Sequence, residues 1–337
     1  MAIDWHDPVM HPRSRRLPLA ILSTLLLSTI AVVSTSSPTS ATAATAAIAA
    51  AEDRSVPGAG TPHPRVQFEP GTEEVLRAKL LDEPSRTVFL TSHARAMSFN
   101  SRPLGDMSIT TQRDLSRAAK LLAFEFALDR TVVDGTIVPF ADAAARTAVG
   151  DRVRDLLLNQ YPRSRLAVPP PLGGWDRDIS TSEEIVNYAM AFDTMLGTDF
   201  DFGDDRAQIV DLLAGSTGEL HANFVDPATA SNFTVLHQNN HRSKSGAAIA
   251  IAAIVLADDV PEALAWFDFG VLEVDDVLGY MLMTGDGAYA EGPFYYRFTM
   301  QNLAPLLVAW ERFLGGEPWV VGTVTVPAMH RHPQFAR

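Results

Sequence analysis

The sequence predicts an all-α fold, and three observations carry that prediction. From residue 73 onward, apolar residues recur at helical spacing in one segment after another. Polar stretches join these segments, which suits consecutive antiparallel helices that bury their faces by stacking. One segment, "SGAAIAIAAIVLA", is apolar on every side, and such a helix has to be packed all round. Its length, about a dozen residues, is too short to span a bilayer. The layout favoured is an incomplete α/α toroid of antiparallel helical hairpins with little or no β structure, the all-apolar helix forming part of its inner layer.

The elements follow in chain order. Residues 1–50 read as a signal peptide and processed leader. Arg13, Arg15 and Arg16 precede an apolar run, Leu17 to Ser34, and A-x-A sites such as Ala44-Thr45-Ala46 follow it. A membrane anchor is the alternative reading of that run. Cleavage would start the mature chain near residue 50, secreted or periplasmic, with no stable membrane insertion after processing. Residues 51–72, rich in Pro and Gly, are expected to be a flexible linker.

Residues 73–318 form the helical domain. "TTQRDLSRAAKLLAFEFALD" has apolar residues at 115, 118, 119, 122, 123 and 126, with Thr111 and Asp114 as its start signal. "PFADAAARTAVGDRVRDLLLNQY" is a second helix with an expected break at Gly150. Ser180 and Glu183 match a capping box for "SEEIVNYAMAFDTML". Further helices are expected in "DDRAQIVDLLAGSTGELHANF", after residue 245, in "PEALAWFDFGVLEVDDVLGYMLM" and in "EGPFYYRFTMQNLAPLLVAWERFL". The expected total is about seven to eight helices. Residues 319–337 are a tail, the possible start of a β domain, with "WVVGTVTV" the one strand-like run.

Composition excludes several function classes. A formal net charge of -13 argues against nucleic-acid binding, which needs a broad basic surface. The chain has no cysteine, so disulfides, thiolate metal sites and a cysteine nucleophile are out. His237 and His241 have i, i+4 spacing, but the Asn pair between them suits a loop. No metal and no cofactor is expected.

Two polar constellations remain. Asn239, Asn240, His241, Arg242 and Lys244 precede or open the all-apolar helix, with Ser243 or Ser245 as its cap. A helix start offers unsatisfied N–H groups and the positive end of its dipole, so donors and cations there make a receptor for a carboxylate or sulfate. A solvated polar cap is the competing reading. The second constellation is "TGDGAYAEGPFYYRF", Thr284 to Phe298, in which Pro293 suits a first helical turn. Tyr295 and Tyr296 then sit roughly 100° apart on the helix, so one can face a groove while the other packs inward.

Together these stretches resemble the heparinase II/III-like and related alginate lyase families. Asn240-His241 and, roughly fifty residues later, "DGAYAEGPFYYRF" carry the resemblance, with "GWDRDISTSEEIVNYAMAFD" as an upstream match. It covers about residues 100 to 315. The resemblance implies an α/α toroid that cleaves uronate-containing, acidic polysaccharide by β-elimination. Asn240, with Asn239 or Arg242, would neutralise the uronate carboxylate so that C5 can release its proton. His241 and Tyr295 are the candidate base and acid. By resemblance Tyr295 is the acid and can also be the base, while His241 assists it or neutralises the carboxylate. Arg297 could lower the tyrosine's pKa or grip substrate. Glu291 would orient a neighbour, and Trp175 could stack on a sugar ring. Family members usually continue into a β-sandwich, whereas this chain stops at residue 337.

Two other readings compete. One is a toroid glycoside hydrolase using Asp286 and Glu291, or one of them with Asp176, as its carboxylate pair. The other is a non-catalytic carbohydrate-binding fragment.

Overall fold

The structure, a computed structural model, describes residues 55–106, 108–160, 177–225, 240–283 and 292–313, and two short strands at 320–321 and 324–325. Nine helices fall among the described residues: α1 (Glu73–Lys79), α2 (Ser85–Asn100), α3 (Ile109–Leu128), α4 (Ala143–Leu158), α5 (Arg177–Leu196), α6 (Asp205–Val225), α7 (Asn240–Val255), α8 (Ala263–Met283) and α9 (Pro293–Phe313). Two antiparallel hairpins, β1–β2 (Thr131–Val133, Thr136–Val138) and β3–β4 (Val320–Val321, Val324–Thr325), complete them. The fold is all-α, as the periodicity predicts. No described helix is long and apolar enough to cross a membrane.

Alternate helices lie side by side. α3 packs on α5, α5 on α7 and α7 on α9, while α2, α4, α6 and α8 lie against members of this row. Every residue of α7 is buried, from Asn240 to Val255. That explains its composition, because a helix with neighbours on all sides has no face left for water. Its small side chains allow close approach. A Cβ on Gly270 of α8 would lie 2.5 Å from the Gly246 carbonyl oxygen and 2.8 Å from the Ala250 nitrogen, so the α7 and α8 backbones nearly touch there.

Several local expectations are corrected. α3 starts at Ile109, capped by Ser108, whose hydroxyl accepts from the Thr111 N–H. Thr111 itself donates to Asp106 at 2.6 Å. α4 is capped by Asp142 and runs unbroken through Gly150. The glycine is needed because Phe126 and Phe200 occupy the space a Cβ would fill, with contacts as short as 2.6 Å. α5 begins at Arg177, so Ser180 and Glu183 are buried interior positions, not a capping box. α7 begins at Asn240, which puts Ser243 and Ser245 inside the helix. The hairpin β1–β2, which the sequence reading passes over, turns on Asp134-Gly135, both with positive φ (49° and 74°). α1 and α2 raise the helix number to nine among the described residues; α2 buries only Phe89 and Ala96, so its sequence carries no apolar stripe.

Within the expected linker, residues 55–69 form a strap packed against the helices. The Arg65 and Val66 N–H groups both donate to Asp193 of α5, each at 2.8 Å, and His63 Nδ1 donates to the same carboxylate at 2.6 Å. Arg65 is itself buried. Its guanidinium donates to the Thr61 and Ile254 carbonyls and pairs with Asp258. Arg312 of α9 donates to the Arg65 and Phe68 carbonyls at 2.8 and 2.9 Å. The strap thus ties together α5, α9 and the C-terminal end of α7.

Candidate functional site

Contacts between the row helices fix their relative direction. Arg113 of α3 meets Glu183 of α5, and one turn on, Ser116 meets Asn187. Asp178 of α5 meets His241 of α7, and one turn on, Glu183 meets Lys244. Lys244 Nζ donates to the Phe298 carbonyl of α9 at 3.0 Å, while the Lys244 carbonyl accepts from Asn302 at 3.0 Å. A helical side chain leans toward the N-terminus and a carbonyl points toward the C-terminus, so this pair of contacts makes α7 and α9 parallel too. The starts of α3, α5, α7 and α9 therefore share one end of the row. Four helix N-termini there favour negative charge in their neighbourhood.

At that end His241 is buried, and its Nδ1 lies 2.8 and 2.9 Å from the two oxygens of Asp178. A carboxylate only accepts, so Nδ1 carries the proton and the Nε2 lone pair is the basic position. Asn240 is buried beside it. Tyr295 stands in the first turn of α9, one turn before Phe298, and is 41% exposed. Phe298 also stacks its ring 3.8 Å from Lys244 Nζ. The Lys244–Phe298 contact thus sets the level at which Tyr295 and His241 each lie one turn nearer the shared end. Tyr296 packs inward, and burial pushes its hydroxyl up to about 12. The two tyrosines divide between surface and core as their spacing predicts.

The cations of the polar cluster are held internally. Arg242 pairs with Glu273 and, at 2.6 Å, with Asp276, both on α8. Burial works against its charge, but the two carboxylates outweigh burial and hold the guanidinium above its ordinary value. Lys244 lies 3.2 Å from Glu183 Oε1 with its side chain 0% exposed. Burial pushes its ammonium down to about 8, against the pull of Glu183. Glu183 is 4% exposed and also accepts from Arg113 (2.6 Å) and Arg117 (3.0 Å). Burial raises its carboxyl, but Lys244, Arg113 and Arg117 together hold it below the usual range.

Of the residues singled out in the sequence, Asn240, His241 and Tyr295 come to the same end of the row. Arg242 is adjacent but engaged with α8. Arg297 is exposed on α9. Asn239, Glu291, Trp175, Asp176 and Asp286 lie outside the described residues. Sequence reading missed Asp178, Glu273 and Asp276, and assigned Glu183 to a cap. Asp178 and Glu183 both lie in the quoted upstream match, which is the one signal the sequence offered for them. Among the described residues no group of His, Asp and Glu could hold a metal ion.

Comparison of the chain with protein-family models and with curated proteins finds no match.

Proposed function

We propose that this chain is a secreted polysaccharide lyase on an α/α toroid, which cleaves uronate-containing polysaccharide by β-elimination. The observation that supports it best is the buried Asp178–His241 pair beside Asn240, at the end of the row where Tyr295 is exposed. Elimination needs three things at one place. A donor must neutralise the uronate carboxylate, a base must take the C5 proton, and an acid must protonate O4 as the C4–O4 bond breaks. The electron pair of the C5–H bond becomes the C4=C5 double bond.

Asn240 supplies donors, and the N-terminus of α7 adds the favourable field for the carboxylate. Asp178 orients His241 so that Nε2 can accept a proton or hydrogen-bond. Tyr295 supplies the hydroxyl that protonates O4. Arg242 serves here by clamping α7 to α8 and so fixing the start of α7.

Incubating the protein with alginate, heparin, heparan sulfate, chondroitin and hyaluronan tests the reading. New ultraviolet absorbance from an unsaturated uronate, with matching reducing ends, is expected. Reducing ends alone would indicate a hydrolase. Binding without either would indicate a carbohydrate-binding module.

A further inference from the structure

We infer that Arg113, Arg117 and Lys120 of α3 form an anion subsite, taking a sulfate or carboxylate group borne by the substrate polymer next to the ring that reacts. The three residues recur at i, i+4 and i+7, so they line one face of α3. The Arg113 and Arg117 side chains are 25% and 35% exposed, so both are partly open to solvent. Both converge on the same oxygen of Glu183, at 2.6 and 3.0 Å, while Lys244 takes the other oxygen. Asp114 is the only other carboxylate paired with this face among the described residues, and it is shared with Arg102 at 3.2 Å. Lys120 follows on the same face, half-buried, with no ion-pair partner among the described residues.

Four cations therefore face two carboxylates, in a chain whose net charge is -13. Cations in excess of their carboxylates repel one another at close quarters, which opposes the compact state. Burial, and then the charge of Arg117, push the Lys120 ammonium down to about 8, against the weaker pull of Glu183. An oxyanion over this face would relieve that repulsion and occupy the guanidinium N–H groups that Glu183 does not use. Glu183 lies five residues beyond Asp178 on α5, a rise of roughly 7.5 Å. The anion subsite is thus displaced along the helix axes from the His241 pair, at a distance that a group on a neighbouring sugar can reach. That the anion is carried by a sugar rests on the lyase reading; the anion site itself does not.

The test is NMR of the full chain with ¹³C-methylated lysines, the Lys120 signal being assigned by its loss in Lys120→Met. Titration with sodium sulfate should raise the Lys120 pKa saturably, by about one unit or more, where sodium chloride at equal ionic strength should not. Calorimetry should show sulfate affinity falling at least tenfold in Lys120→Met and in Arg117→Met, both at partly exposed positions. Equal shifts in sulfate and chloride, or unchanged affinity in both variants, would overturn the site. Sulfated and unsulfated uronate oligosaccharides should compete with sulfate, and whichever competes better identifies the anion. Competition by neither would overturn the assignment to the polymer. Sulfate binding without elimination activity would remove only the lyase reading, and elimination without sulfate binding would remove only the subsite.

Discussion

Replacing Lys244 by Met should leave the protein as stable or make it more stable, whereas replacing its partner Glu183 by Gln should destabilise it strongly. Lys244 is fully buried, and its ammonium is lowered from 10.5 to about 8, first by burial. Each pKa unit corresponds to about 1.4 kcal/mol, so keeping this lysine charged at neutral pH costs on the order of 3 kcal/mol. Met has similar length and no charge to desolvate. Lys244→Met loses the hydrogen bond to the Phe298 carbonyl, about 1 kcal/mol, but leaves Glu183 its two arginines. Glu183→Gln instead strands three cations around a neutral amide, and breaking a buried pair from one side costs about 3–5 kcal/mol.

The sign of the pH dependence follows from the same numbers. Below about 8 both folded and unfolded Lys244 are protonated, and the full cost is present. As pH rises through 8 toward 10.5 the folded state releases the proton first, so stability should rise in that window. Urea unfolding followed by circular dichroism, at neutral pH and across that window, measures both effects. A Lys244→Met protein as unstable as Glu183→Gln would refute the reasoning, because the lysine would then be a net stabiliser.

Three other outcomes are expected. Gly270→Ala should lower stability by about 1–3 kcal/mol through overpacking, since its Cβ would meet the α7 backbone at 2.5 Å; an unchanged urea midpoint would show that the two helices separate freely. Asp193→Ala should cost at least about 2 kcal/mol by leaving the Arg65 and Val66 N–H groups without their acceptor, and should open the strap to limited proteolysis; wild-type resistance would count against that anchor. Asp178→Asn should reduce elimination by about a hundredfold in kcat with little change in KM, because the amide no longer fixes the His241 tautomer; an undiminished kcat would remove Asp178 from the site.

Much of the helical content was legible because it depends on local periodicity. α3, with apolar residues at 115, 118, 119, 122, 123 and 126, buries all six. Pro293 does open α9, and α7 is buried throughout. What the sequence hid depends on distance. A Ser-x-x-Glu pattern looks like a cap wherever it falls, but Glu183 is drawn inward by cations on α3 and α7 that lie far away in the chain. Glu273 and Asp276 take their role from Arg242, 31 and 34 positions away. The strap carries the Pro and Gly content of a linker, and what holds it in place is distant in the chain: the Asp193 carboxylate, Asp258 and Arg312. His241 was legible as a candidate, but Asp178, which gives it a defined proton, lies 63 positions away.

The most direct measurement is the ultraviolet absorbance released from uronate polymers by the wild-type chain and by Tyr295→Phe. The account predicts unsaturated product from the wild type and at least a hundredfold slower release from the variant, with both proteins equally folded. Reducing ends without absorbance, or full elimination activity in Tyr295→Phe, would contradict it.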